Sequence, residues 1–97
     1  MLILPATLTA REATDALRML AEALERDTAQ TVVVDASALG QLDSAALAVL
    51  LDCRRRVEAR GKAFELRGAP PKLAALARLY GVDGLLLGPA APAASHA

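Results

Sequence analysis

The stretch that decides the fold is QTVVVDASALGQLDSAALAVLL, residues 30–51. Its first part, Gln30 to Asp35, contains a β-branched run with no polar alternation, which is typical of a central parallel strand buried on both faces. A loop, residues 36–44, separates this strand from an apolar helix that we expect to last to about Arg60 and to end at Gly61. Its expected core stripe consists of Ala46, Leu50, Cys53 and Val57. A strand, a short loop and a helix in this order indicate one unit of an α/β fold.

The segment before this stretch supplies another strand and helix. Leu2 to Leu4 predicts a short strand. The residues Thr9–Glu12 have the form of a capping box, in which a hydroxyl and a carboxylate satisfy each other's backbone N–H groups. The amphipathic pattern that follows predicts a helix to about Arg26.

The segment after it repeats the alternation once more. The residues Ala63–Arg67 predict a strand, and an apolar stripe between Pro71 and Gly81 predicts a third helix, because proline suits the first helical position and glycine the position just past the end. Residues 82–87 fit either a short strand or a packed extension. Residues 89–97 have the composition of a disordered tail, so we expect one domain over residues 1–88.

The composition predicts an aliphatic core. Hydrophobic residues make up 55% of the 97 residues, yet Phe64 and Tyr80 are the only large aromatic side chains. Tyr80 closes an apolar helical stripe, so we expect its ring to pack on the core with its hydroxyl at the surface. The single cysteine, Cys53, lies in an apolar helical pattern and is expected to be a buried, inert thiol.

The charge balance argues against a nucleic-acid-binding protein, because eleven basic and eleven acidic residues leave no net charge. The charges are unevenly distributed: residues 1–53 hold three basic and eight acidic residues, whereas residues 54–78 hold eight basic and two acidic residues. Such a run fits either an ordinary solvated face or the electrostatic steering of a partner.

The sequence lacks motifs and residues that several classes of enzyme and metal-binding protein require. It has no glycine-rich phosphate loop, and its one histidine, His96, lies in the tail, so neither a serine hydrolase triad nor a metal site is expected. We expect no cofactor and no enzymatic activity. The longest apolar stretch, Ala45 to Leu51, is too short to span a bilayer, and no signal peptide is evident, so we expect a cytoplasmic protein without direct membrane insertion.

The candidate functional residues are Asp43 and Ser44, at the start of the apolar helix. Asp and Ser are both preferred helix caps, and an acid at a helix N-terminus is stabilised by the helix dipole. The small residues that follow, from Ala45 to Ala48, would give the first helical turn a smooth surface beside an exposed hydroxyl. Helix capping and protein docking are therefore both open readings of this pair.

The sequence resembles the STAS domain family. The resemblance lies in TVVVD at 31–35 followed by LDSAALAVLL at 42–51, and in PPKLAALARLYGVDGLL at 70–86, which resembles the MlaB branch of the family. It covers about residues 2 to 87. It implies an α/β fold in which a small mixed β-sheet is packed against three helices.

The resemblance also implies a function. A domain of the MlaB branch is a non-catalytic accessory subunit that binds the cytoplasmic ATPase of an inner-membrane phospholipid-transport ABC complex, and through it the permease complex. The position that matches Ser44 lies at the contact with the ATPase. The implied partner-binding residues are Gln41, Leu42, Asp43, Ser44, Ala45 and Leu47.

A second branch of the family implies a different function for the same serine. In anti-sigma-factor antagonists the serine that matches Ser44 is phosphorylated by a kinase that is also the binding partner. An enzyme or ligand-binding module is a third reading, but it would require a polar pocket for which the sequence offers no lining residues.

Overall fold

The computed structural model describes residues 1–88, in which strands and helices alternate over most of the length. The strands are β1 (Leu2–Ile3), β2 (Thr7–Leu8), β3 (Thr31–Asp35), β4 (Gln41–Leu42) and β5 (Ala63–Arg67). The helices are α1 (Ala13–Arg26), α2 (Ala45–Ala59), α3 (Pro71–Leu79) and α4 (Asp83–Leu86). The expected α/β class is confirmed.

The strands pair in two small sheets. The first has the order β1-β3-β5, with Leu2 opposite Val34 and Val32 opposite Phe64, and the second pairs β2 with β4. Every pairing within residues 1–88 is parallel, so the expected mixed sheet is not observed in that part of the chain. Parallel pairing follows from the connections, because α1 and α2 each carry the chain back before the next strand of the first sheet begins.

The central position of β3 is confirmed, but its burial on both faces is not. Val32 and Val34 are fully buried, whereas Val33 between them is only half-buried. The strand order β1-β3-β5 advances in one direction across the sheet, so crossovers of the usual right-handed sense place α1 and α2 on the same face. The packing of the two helices on each other agrees with that placement. The opposite face stays open enough to leave the Ile3 side chain 60% exposed.

The core is aliphatic, as the composition predicts, and lies between the helices and the covered face of the sheet. Phe64 is its only aromatic member within the described residues. The predicted stripe of α2 is confirmed, since all of its members are buried: Ala46, Leu50, Cys53 and Val57. Interlocking side chains of this kind supply most of the stability of a small domain, because they remove apolar surface from water.

The helix ends largely follow the predicted signals. Pro71 is the first residue of α3, and the glycine after α2, Gly61, has a φ of 73°, the left-handed conformation that glycine adopts without strain. At the start of α1 only half of the capping box forms. The Glu12 carboxylate accepts the Thr9 N–H at 2.9 Å, but the Thr9 hydroxyl accepts from the Arg11 N–H at 3.3 Å.

At the end of the described chain, the open alternative for residues 82–87 is decided in favour of a packed extension, and the expectation for Tyr80 is wrong. The segment after Gly81 forms α4, a fourth helix, and its Leu86 is buried. Tyr80 is 58% exposed rather than packed on the core. Tyr80 is the residue that caps α3, one position past its last helical residue, Leu79. The predicted disordered tail, residues 89–97, lies outside the described residues.

Candidate functional site

The candidate site lies where β4 leads into α2. Ser44 is exposed immediately before Ala45, the first residue of the helix. Its own backbone is already helical, with φ −63° and ψ −18°, and its carbonyl accepts the Leu47 N–H at 3.1 Å. The Ser44 hydroxyl makes no capping hydrogen bond to the helix.

Asp43 supplies the cap that Ser44 does not. Its Oδ1 accepts a hydrogen bond from the Ala45 N–H at 2.8 Å, so one free backbone donor of the first turn is satisfied. Its Oδ2 accepts from the Ala10 N–H at 3.3 Å, a contact that spans 33 positions of the sequence. One carboxylate therefore both caps α2 and connects it to the turn between β2 and α1.

The residues predicted to bind a partner divide into surface and core. Gln41 and Ser44 are exposed and Ala45 is half-buried. Leu42 and Leu47 are only 4% and 3% exposed, because their side chains belong to the hydrophobic core. These two leucines can contact a partner through little more than their backbone atoms. The side chains that form the candidate docking surface are therefore the polar and small ones.

A neighbouring segment belongs to this surface and was not identified from the sequence. Thr7 lies opposite Gln41 in the β2–β4 pair, and the Ala6 carbonyl accepts the Gly40 and Gln41 N–H groups at 2.7 and 3.0 Å. These bonds hold the start of β2 against the start of β4, the strand that leads into α2. Strands of two residues carry no periodic signal, so the sequence offered no means of detecting this pair.

The exposed face of α2 continues beyond Ser44 as a shallow groove. The groove has a volume of about 320 Å3 and is lined by Ala48, Leu51, Asp52 and Arg55. These positions lie three or four residues apart on the face that begins at Ser44, so they form one continuous surface along the helix. Asp52 forms ion pairs with Arg55 and with Arg56, which holds the carboxylate in place at the edge of the groove.

The chemical groups within residues 1–88 offer little reactivity. Burial raises the pKa of the Cys53 thiol to about 11, so the thiol is protonated at neutral pH, and its predicted burial is confirmed. No three potential metal ligands among His, Cys, Asp and Glu come together in the described part of the chain. The same residues include no helix that is long and apolar enough to cross a membrane.

Comparison with known protein families gives one clear match. A family model described as "Mlab, STAS domain" matches residues 2–88. The match includes every strand and helix described above, and both segments on which the resemblance was based. A search of curated proteins finds no significant match.

Proposed function

Because the chain belongs to the Mlab STAS domain family, we propose that it is an accessory subunit that binds the cytoplasmic ATPase of an inner-membrane phospholipid-transport ABC complex and promotes its assembly and activity. STAS domains are generally non-catalytic, mediate protein interactions and serve regulatory or accessory roles. The identity of the ATPase partner is the step that goes beyond the family. Through that partner the domain would lie on the cytoplasmic side of the inner membrane, close to the permease.

The observation that carries this proposal is the exposed Ser44 hydroxyl. The helix start beside it is already capped by Asp43, so the hydroxyl is not required for capping and is available to a partner. The surrounding side chains, Ala45 and the exposed Ala48, are small and allow the backbone of another protein to approach closely. The groove along α2 extends the same face.

The proposed mechanism is a shift in population. A subunit that binds one state of the ATPase more tightly than another changes the balance between them only by the difference in its binding free energies, typically about 1–3 kcal/mol. We propose that the domain binds preferentially to the assembled, hydrolysis-competent ATPase pair. Its effect on hydrolysis would then follow from assembly, without a catalytic group of its own.

Phosphorylation of Ser44, as in an anti-sigma-factor antagonist, is the second candidate function. The exposed hydroxyl favours it, because a kinase could reach the oxygen, and the N–H groups of a helix N-terminus stabilise a phosphate. The Asp43 carboxylate disfavours it, because a phosphate on Ser44 would add two negative charges beside an existing one. A gene for an ABC ATPase beside this gene would support docking, and a gene for an anti-sigma kinase would support the switch.

The test of the proposed docking site is capture of the ATPase complex by Ser44→Glu and Ser44→Arg proteins. Each substitution places an unpaired charge in a contact that loses water on binding, so we expect capture to fall at least about tenfold. Thr28→Glu and Thr28→Arg are matched controls, because Thr28 is an exposed hydroxyl residue at the opposite end of the sheet, between α1 and β3. Wild-type capture by both Ser44 variants would show that the site is misassigned.

A further inference from the structure

We propose that the turn formed by Ala10 and Arg11 is a second part of the docking surface, and that the Arg11 guanidinium binds a carboxylate of the partner protein. This inference rests on the proposed function, because it extends the same surface from the start of α2 to the turn between β2 and α1. The partner must then present an aspartate or glutamate side chain opposite Arg11.

The turn and the start of α2 form one surface because several bonds connect them. The Asp43 carboxylate accepts the Ala10 N–H at 3.3 Å while it caps α2. Below this contact, Leu8 lies opposite Leu42 in the β2–β4 pair, and both leucines are buried. A partner that covers the exposed hydroxyl of Ser44 therefore meets the Ala10–Arg11 turn at its edge.

The turn is also ordered from within. The Glu12 carboxylate accepts hydrogen bonds from the Thr9 N–H at 2.9 Å and from the Thr9 hydroxyl at 2.6 Å. The Thr9 hydroxyl in turn accepts the Arg11 N–H at 3.3 Å. The backbone of Arg11 is therefore held in place before a partner binds, which reduces the loss of conformational freedom on association.

The charges of this surface make Arg11 its available cation. Within residues 1–88 Arg11 makes no ion pair, although it is exposed, and the carboxylates of Glu12 and Asp43 on this surface already accept hydrogen bonds from other groups. Glu12 is bonded to Thr9, and both oxygens of Asp43 accept backbone N–H groups. The guanidinium can therefore offer its planar set of donors to a partner, and a carboxylate matches that geometry with two parallel hydrogen bonds.

A protein carboxylate fits this surface better than a nucleic-acid phosphate does. The chain has no net charge, and Asp43 lies beside the turn, so this surface lacks the basic field that binding of an extended polyanion requires. A single acidic side chain can contact Arg11 and leave the remainder of the contact to the small, neutral residues around Ser44. A charge at the edge of an interface acts mainly on the association rate and its dependence on salt.

The experiment measures the association rate of the full-length chain with the purified ATPase complex at low and at physiological salt. We expect Arg11→Glu to slow association about tenfold at low salt, with a smaller effect at higher salt, because the lost attraction is screened. Arg11→Lys should keep most of the association rate but dissociate faster, because lysine keeps the charge and loses the two-point geometry. Arg26→Glu is the control, since Arg26 is an exposed arginine at the other end of α1.

The outcomes separate this inference from the function on which it rests. If Ser44→Arg abolishes capture and Arg11→Glu associates like wild type, the docking site stands and the role of Arg11 is wrong. If neither variant changes association, both are wrong. If Arg26→Glu slows association as much as Arg11→Glu does, a general field of the domain acts rather than the turn, and the inference is overturned.

Discussion

At the scale of single residues, Asp43 and Ser44 are adjacent in the chain but only Asp43 builds the fold. Its two oxygens accept N–H groups from two different segments, one at the start of α2 and one at Ala10. Ser44 is exposed, and its hydroxyl does not cap the helix. Capping of α2 therefore belongs to Asp43, and the proposed recognition of a partner belongs to Ser44.

This division predicts different effects of two alanine substitutions on stability. Asp43→Ala should lower the free energy of unfolding by about 1–2 kcal/mol, because it leaves the start of α2 uncapped and removes the contact with Ala10. Ser44→Ala should change it by less than about 0.5 kcal/mol, because no capping bond is lost at this exposed position. Urea denaturation of both variants measures the difference, and equal losses would contradict the assignment of the cap.

Cys53 shows at the same scale how burial removes reactivity. The thiol has a pKa raised to about 11 from an ordinary value of 9.0, chiefly because burial disfavours the thiolate. We expect the native protein to react with a thiol reagent at neutral pH far more slowly than the urea-unfolded protein does, because the thiolate is the reactive form. Equal rates in the two states would show that the thiol is accessible.

At the scale of elements, the connections between strands and helices depend on glycines for two different reasons. Gly61 and Gly68 have nearly the same backbone angle, with φ of 73° and 69°. A methyl group added at Gly61 would meet nothing within 4 Å, whereas one at Gly68 would lie 2.9 Å from the Ser37 Cβ and 3.1 Å from its backbone. Of these two glycines, Gly68 in the β5–α3 connection is therefore the one whose replacement is restricted by packing as well as by backbone conformation.

The comparison of the two glycines gives a matched pair of variants. Gly61→Ala should lower the free energy of unfolding by about 1 kcal/mol, the cost of a left-handed conformation for a residue with a side chain. Gly68→Ala should lower it by more, because the contact with the Ser37 backbone must also be relieved. Thermal or urea unfolding provides the measurement. Equal losses of unfolding free energy in the two variants would show that the close approach of Gly68 to Ser37 does not add to the cost of the substitution.

At the scale of the whole molecule, much of the uneven charge is neutralised locally. The arginines of α2 pair with acids on the same helix, Arg54 with Glu58 and Arg55 with Asp52, and Arg67 pairs with Glu65 on β5. The basic part of the sequence therefore presents less free positive charge than its composition suggests. Ion pairs at exposed positions contribute little to stability individually.

The carboxylates set the dependence of stability on pH. Hydrogen bonds lower the pKa of four of them, Glu12, Asp27, Asp35 and Asp52. Glu12 accepts from the Thr9 hydroxyl and N–H, Asp27 from the Ala29 N–H, and Asp35 from the Ser37 N–H. Asp52 accepts from the Arg56 and Arg55 side chains. A lowered pKa means that the unfolded chain takes up a proton first as the pH falls. These groups therefore contribute their full stabilisation above their ordinary pKa values and lose it as the pH falls from those values to the lowered ones.

We therefore expect an unfolding free energy that is steady from neutral pH to about pH 5 and declines as the pH falls through the ordinary pKa values of 4.5 for Glu12 and 3.8 for the aspartates. Urea titrations at a series of pH values give this profile. Glu12→Gln should make the decline shallower, because glutamine still accepts the Thr9 N–H but does not titrate. An unchanged slope in that variant would contradict a contribution from Glu12.

The sequence by itself determined the order of the longer elements, from the first strand to α3, together with the buried stripe of α2 and the glycine that ends it. It also pointed to Asp43 as a cap, and to residues 31–51 and 70–86 as the segments that identify the family. These features could be predicted because they are local: helix periodicity, caps and turns each depend on residues only a few positions apart.

Only the tertiary structure decided which residues share a surface. It showed that β3 is fully covered on one face alone, that Leu42 and Leu47 point into the core, and that Asp43 reaches Ala10 across 33 positions of the chain. That contact depends on the parallel pairing of β2 with β4, and strands of two residues leave no pattern from which their partner could be read. The partners of such short strands are fixed by the packing of the whole domain, which brings distant segments together only when the core forms.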